Sequence, residues 1–195
     1  MPLLRALENT MKHQGTKTLE TERLILRPFR PEDAQAMYDN WASDPEVTKF
    51  LSWPTYKSID DAHTILKIWV ESYENPEFYQ WAIVLKELGQ PIGSVSVVNQ
   101  DNRVDMAEIG YCIGRTWWGN GIMPEAMRAV MAYLFDQIGM QRIEAGHDPE
   151  NSASGAVIRK CGLKYEGTLR RRIRSNRGIT DVAWYSMLKE EYNLG

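Results

Sequence analysis

Gly110-Tyr-Cys-Ile-Gly-Arg-Thr-Trp-Trp-Gly-Asn-Gly-Ile-Met-Pro-Glu-Ala126 is the stretch on which the reading of this chain turns. A strand-like run enters it, glycines make a loop, and a long helix follows. The helix shows in Met123, Met127, Val130, Met131, Leu134, Phe135 and Ile138, which share one stripe before Gly139 stops it. The methionines on that stripe read as core filler. A strand-loop-helix junction leaves several backbone N–H groups unpaired at the positive end of the helix dipole, where phosphate binds readily. Gly119 and Gly121 let an anion approach the backbone and permit positive φ. Two phosphate loops can be tested. The dinucleotide pattern needs a third glycine where Pro124 stands, and the P-loop needs Gly-Lys-Ser/Thr, which is absent. By spacing alone, an anion site and a capped helix with a tight turn fit equally.

Upstream, Leu19 to Arg27 reads as a strand closed by Pro28, and Pro31-Glu-Asp opens a helix. A second helix is expected from Ser58 to about Tyr73, with Ser58 and Asp61 as a capping box. Phe78–Lys86, Pro91–Val98 and Asp105–Ile113 form an antiparallel meander. After the long helix come a strand (Gln141–Gly146), a short helix (Asn151–Lys160) and two strands, Gly167–Arg174 and Thr180–Met187. The order predicts an α/β fold with a mixed sheet, not a βαβ repeat. Residues 1–18 carry no sustained period and are expected as a flexible extension, with Met11 an alternative start; residues 19–195 form the domain.

At 195 residues one domain buries about 70% of its unfolded surface without disulfides or metal. Cys112 and Cys161 are far apart with no partner histidine nearby, which speaks against a zinc site or disulfide framework and for a reducing compartment. The longest apolar run, Ala129–Phe135, is too short for a membrane span, and no signal peptide is evident. With 23 basic and 26 acidic residues there is no electrostatic footprint for nucleic acid. A cytoplasmic protein without membrane or specific nucleic-acid partners is expected. Monomer and homodimer stay open.

Trp118-Gly-Asn-Gly-Ile-Met-Pro-Glu-Ala126 resembles the acyl-CoA pyrophosphate loop of the GCN5-related N-acetyltransferases (GNAT), in particular the branch that acetylates ribosomal-protein N-termini (RimJ/RimL-like). Glu20-Thr-Glu-Arg-Leu-Ile-Leu-Arg-Pro-Phe29, Asn151-Ser-Ala-Ser-Gly-Ala-Val-Ile-Arg-Lys-Cys-Gly-Leu163, and Tyr165-Glu-Gly-Thr-Leu-Arg170 with Asp181-Val-Ala-Trp-Tyr-Ser186 follow in family order. The resemblance implies a mostly antiparallel sheet of six to seven strands, splayed between strands 4 and 5 and flanked by about four helices. It implies acetyl-CoA as cosubstrate in the opening, no metal, and transfer to a primary amine. A protein N-terminal α-amine is the favoured acceptor. A small-molecule amine (polyamine, amino sugar or amino acid) is the alternative, and a non-catalytic acyl-CoA-binding regulatory module a third reading. Backbone of Trp117, Trp118, Gly119, Asn120, Gly121, Ile122 and Met123 would hold the pyrophosphate, and strand backbone at Cys112 and Ile113 the pantetheine, with Asn151 positioning its arm.

Three positions depart from the family pattern: Thr116 opens the loop, Leu163 replaces an aromatic, and Ile158 stands where many relatives carry an acidic tyrosine. The resemblance gives the acid role to Ser154, which protonates the departing thiolate. It sits one turn beyond the N-cap residue Asn151. Glu108 is the candidate base, sharing a strand face with Met106, Gly110 and Cys112. At pH 7 an α-amine is about 14% free base and a lysine amine about 0.04%, so an N-terminal acceptor needs little help. His147, at the end of the fifth strand, is a rival base. The Phe50-Leu-Ser-Trp-Pro-Thr-Tyr56 loop is expected to rim the acceptor pocket. Arg170-Arg-Arg-Ile-Arg174 is the one dense basic patch, and strand alternation divides it between two faces.

Overall fold

Residues 11 to 194 are described by a computed structural model. Its elements run β1 (Leu19–Glu20), β2 (Leu24–Arg27), α1 (Ala34–Met37), α2 (Pro45–Thr48), α3 (Ile59–Ser72), β3 (Gln80–Leu85), β4 (Gln90–Asp101), β5 (Met106–Ile113), α4 (Ile122–Tyr133), β6 (Arg142–His147), α5 (Ser152–Lys160), β7 (Lys164–Ser175), β8 (Gly178–Leu188) and α6 (Lys189–Tyr192). The strands make one sheet in the order β1-β2-β3-β4-β5-β6-β8-β7, antiparallel throughout except for the parallel pair β5/β6.

The expected α/β fold is present, with a fuller element count. The run expected as one strand, Leu19–Arg27, folds back on itself: Leu19 pairs with Leu26, so one strand becomes two and the sheet has eight. Six helices replace about four, because α2 and α6 are single turns too short to show a period. The Ser58/Asp61 capping box and the Gly139 stop, at φ 91°, both form as expected.

Strand alternation divides the core. Trp81 and Ile83 join Ile109, Ile143, the α4 residues Met127 and Val130, and Leu134 just after α4 on one face of the sheet. Ala82 and Val84 pack with Phe29, Trp41, Ala62 and Leu66 on the other, under α1 and α3. Met123, Met127 and Met131 are buried, the filler role expected of them.

The flexible extension needs correction over residues 11 to 18; residues 1 to 10 lie outside the described residues. Met11 is buried in the core, Lys12 N–H donates to the Ile138 carbonyl at 2.9 Å, and Gly15 N–H to the Pro76 carbonyl at 2.7 Å. Tyr133 Oη and Trp81 Nε1 donate to the carbonyls of Gly15 and Lys17, each at 2.7 Å. The segment is held by backbone bonds and by scattered side-chain ones, His13 to Tyr79 and Thr16 to Phe78, which leaves no side-chain period to read.

A parallel pair joined through a helix cannot stay paired if another element enters between its ends. β5 and β6 pair only at Met106/Arg142, Ala107/Ile143 and Glu108/Glu144. Counting Leu19–Arg27 as one strand, these are strands 4 and 5, and beyond Glu108 they separate as expected.

Candidate active site

Two adjoining cavities open where β5 and β6 part. The first, about 430 Å³, lies between the C-terminal half of β5, the loop into α4 and the start of α5. The second, about 550 Å³, lies under the loop between α2 and α3, against β4, β5 and β8. Phe50, Leu51, Tyr111, Cys112, Asn151 and Ser154 line both. A reaction between an occupant of each would take place at these six residues.

The loop into α4 has the features of an anion cradle. Gly119 and Gly121 adopt φ of 78° and 73°, open to glycine at little cost. No hydrogen bond engages the backbone N–H groups of Gly119 to Met123 among the described residues. They lie at the start of a 12-residue helix, where its dipole is positive. The conformation is latched from outside. Glu125 accepts from Thr21 Oγ1 at 2.6 Å, Arg23 N–H at 3.0 Å and Arg23 Nε at 2.7 Å, and Arg23 Nη1 donates to the Asn120 carbonyl at 3.0 Å. Burial alone would raise the Glu125 carboxyl pKa, but these donors outweigh it and hold it below its ordinary value. Trp118 Nε1 donates to the Ile113 carbonyl at 2.9 Å, tying the loop to the end of β5.

Asn151 caps α5, its side chain accepting from Ser154 N–H at 3.2 Å. That places Ser154 on the first turn, facing β5. Tyr111 Oη is 2.9 Å from Ser154 Oγ and 3.0 Å from the Ser154 carbonyl. Burial pushes the Tyr111 phenol pKa well up, so the group stays protonated and can donate.

Glu108 faces the second cavity. Burial raises its carboxyl pKa, and the neighbouring Glu144 adds to this; a hydrogen bond from Asn99 and the charge of Arg172 act the other way. The shift in register between Val97 and Asn99 supplies this neighbour, since it pairs Asn99 with Glu108. Cys112 Sγ lies 3.3 Å from Ser94 Oγ, and burial pushes the thiol up to about 11, leaving negligible thiolate at neutral pH. His147 Nδ1 donates to the Asp148 carbonyl at 2.8 Å, and its ring stacks on Tyr185. Its Nε2 is buried with no partner among the described residues. A Cβ on Gly155 would lie 2.6 Å from that nitrogen.

Cys112, Ile113, Trp117, Trp118, Gly119, Gly121, Ile122, Met123, Asn151 and Ser154 line the first cavity, while Glu108 lines the second. Asn120 lines neither, its carbonyl being turned toward Arg23. Phe50, Leu51, Trp53 and Tyr56 line the second cavity, the rim expected of their loop. The arginine run is broken by a register shift between Leu169 and Ile173, with Arg171 at φ 51°; Arg172 alone of the run's arginines lines a cavity. Sequence reasoning missed Tyr111 and the Arg23–Glu125 latch. A signal for Tyr111 was present: it is the one polar residue on a strand face otherwise made of Ala107, Ile109 and Ile113.

Among the described residues no group of side chains could hold a metal ion, and no helix is long and apolar enough to cross a membrane. The acetyltransferase (GNAT) domain family matches residues 23–164. The uncharacterized N-acetyltransferase p20 of Bacillus licheniformis is 34% identical over 176 residues, covering 90% of this chain and 98% of its own. The ribosomal protein uS5-alanine N-acetyltransferase of Escherichia coli is 27% identical over 160 residues, covering 76% of this chain and 79% of its own. The crystal structure of the microcin C7 self-immunity acetyltransferase MccE in complex with acetyl-CoA and AMP superposes with a TM-score of 0.78 at 22% identity, over 86% of this chain and 93% of that one.

Proposed function

The chain belongs to the GNAT acetyltransferase family, and from that premise we propose that it transfers an acetyl group from acetyl-CoA directly to a primary amine, a protein N-terminal α-amine being the favoured acceptor. The observation that carries this reading is the meeting of the two cavities at Tyr111, Cys112 and Ser154, with an anion cradle at the far end of one and a half-buried carboxylate in the other. Acetyl-CoA supplies the activated acyl thioester. The unpaired N–H groups of Gly119 to Met123 suit its pyrophosphate, and the β5 backbone at Cys112 and Ile113 and the Asn151 side chain suit its pantetheine arm.

The acceptor nitrogen forms the new C–N bond as the C–S bond breaks. Glu108, through water, takes the proton that the nitrogen loses, and its raised pKa makes it a better acceptor than a solvated carboxylate. Ser154 gives its hydroxyl proton to the departing sulfur, with Tyr111 fixing the hydroxyl's position. Thiols have a pKa near 8.5, so this acid need not be strong. Glu108 is favoured over His147 because His147, although it lines the second cavity, has its Nε2 buried against Gly155. The protonated state of Cys112 favours direct transfer over an acyl-cysteine.

The ribosomal-protein relative supports an N-terminal acceptor. Two free cysteines, one of them buried, suit a reducing cytoplasm. The test is release of coenzyme A from acetyl-CoA with a panel of peptides, polyamines and aminoglycosides. Turnover with at least one amine is expected. Tight acetyl-CoA binding with no turnover on any amine would replace this reading with that of a regulatory module.

A further inference from the structure

The second cavity has more aromatic surface than its own packing uses. Trp41 lines it too, but its ring is fully buried and packed in the core. Trp53, Tyr56, Trp69 and Trp184 differ: all four line the cavity and all four stay half-exposed. They come from three separate parts of the chain, the loop before α3, α3 itself and β8. Each is held from behind. Trp53 and Tyr56 support one another with ring centroids 5.2 Å apart, and Trp69 rests on Phe29 at 5.0 Å. Trp184 lies against Gly146, where a Cβ would come within 2.8 Å of its ring. Aromatic side chains braced in this way and left partly uncovered form a preorganised apolar wall.

The charge in the cavity is sparse. Its carboxylates among the described residues are Glu108 and Asp148, and Asp148 is paired with Arg177 at 2.9 Å. That leaves Glu108 as the one free carboxylate to face a cationic acceptor, with the like-charged Arg172 lining the same cavity. A polyamine or an aminoglycoside would bring several ammonium groups past aromatic walls with one free carboxylate to meet them, and the rest would have ring faces alone to offset the hydration they lose. A molecule with one amine and one large apolar group meets no such penalty. Its ammonium form is drawn to Glu108 and to the ring faces, and its apolar group covers them.

Resting on the acetyltransferase reading above, we propose that the acceptor is an arylalkyl primary amine: an amino group a short distance from an aromatic ring that enters the box of Trp53, Tyr56, Trp69 and Trp184. The same chemistry occurs in a free arylalkylamine and in a peptide whose first residue is aromatic. The alanine acceptor named for the ribosomal relative would leave these rings uncovered.

The test measures kcat/KM of the full chain with acetyl-CoA against four acceptors: phenethylamine, spermidine, and two peptides identical except for phenylalanine or alanine at the first position. At least one aromatic acceptor is expected to exceed both alanine peptide and spermidine by about ten- to a hundredfold, the effect of burying a ring. Phenethylamine ahead of the phenylalanine peptide identifies a free amine as the source, and the reverse order identifies a peptide. In Trp53→Ala the ratio of phenylalanine to alanine peptide should fall about tenfold while acetyl-CoA affinity holds. Trp184→Leu, in a different element, should lower the same ratio should Trp53→Ala fail to fold. Alanine peptide or spermidine matching the aromatic acceptors, or ratios unmoved in folded variants, overturns this proposal and leaves the acetyltransferase reading standing. No turnover with any amine overturns both.

Discussion

Tyr111 Oη lies 2.9 Å from Ser154 Oγ, joining the C-terminal half of strand β5 to the first turn of helix α5 across the mouth where the two cavities meet. The bond bridges 43 residues of chain, and it positions the hydroxyl proposed to protonate the leaving sulfur. Ser154→Ala is expected to lower kcat about ten- to a hundredfold with acetyl-CoA affinity retained. Tyr111→Phe should cost less. The double variant should cost less than the product of the two, since both act on one proton. Steady-state kinetics of the three proteins checks this, and unchanged turnover in Ser154→Ala would remove that residue from the mechanism.

The pH profile should carry the signature of Glu108. Its carboxyl pKa is raised above the ordinary 4.5 by burial and by Glu144, and a base works only when ionised. Activity at subsaturating acceptor should therefore fall with falling pH through a midpoint above that value. Glu108→Gln should abolish this limb and leave any limb due to the amine itself. Because the charge of Arg172 lowers the Glu108 pKa, Arg172→Ala should move the limb to higher pH. Profiles of kcat/KM against pH for the three proteins decide it.

The latch between Arg23 and Glu125 should govern cosubstrate affinity. Glu125→Ala frees the Thr21 hydroxyl, the Arg23 backbone N–H and the Arg23 guanidinium together, loosening the loop that Arg23 also holds at Asn120. The KM for acetyl-CoA should rise several-fold, with a smaller change in kcat. The stability effect has a definite sign. The Glu125 pKa is depressed in the folded protein, so its contribution is complete above the unfolded value and is lost as pH falls through the folded one. The melting-temperature gap between wild type and Glu125→Gln should be widest near neutrality and narrow as pH falls below the ordinary carboxylate range.

Gly114→Ala should be harmful despite adding one methyl. Its Cβ would overlap the Asn40 carbonyl oxygen and lie 2.6 Å from the Trp117 ring. The carbonyl belongs to backbone and cannot swing away, so Trp117 and the loop behind it must shift. Overpacking of this kind costs about 1–3 kcal/mol. Thermal melting should show that loss, and calorimetry should show weaker acetyl-CoA binding.

Much of this protein was written in local pattern. The stripe from Met123 to Ile138, the Ser58/Asp61 box and the alternation along β3 to β5 each describe forces acting within a few residues, and each formed where the sequence placed it. The glycines at 119 and 121 marked the cradle for the same reason: a positive φ is a property of one residue. The anchoring of residues 11 to 18 is scattered, by backbone to Ile138, Pro76, Trp81 and Tyr133 and by the side chains of His13 and Thr16 to Tyr79 and Phe78, which no side-chain period reports. The return of Leu19 onto Leu26 was hidden likewise, since a turn that short leaves no interruption in composition.

What the sequence determined by itself was the longer elements, the family resemblance and the backbone cradle, all carried by spacing along the chain. Only the tertiary structure decided which side chains share the reaction space. The separation of β5 from β6 beyond Glu108 brings Tyr111 to Ser154, the register shift pairs Asn99 with Glu108, and three distant segments turn aromatic rings into one cavity. Proximity of this kind comes from strand register and sheet order, which are set by the packing of the whole core and not by the residues that end up adjacent.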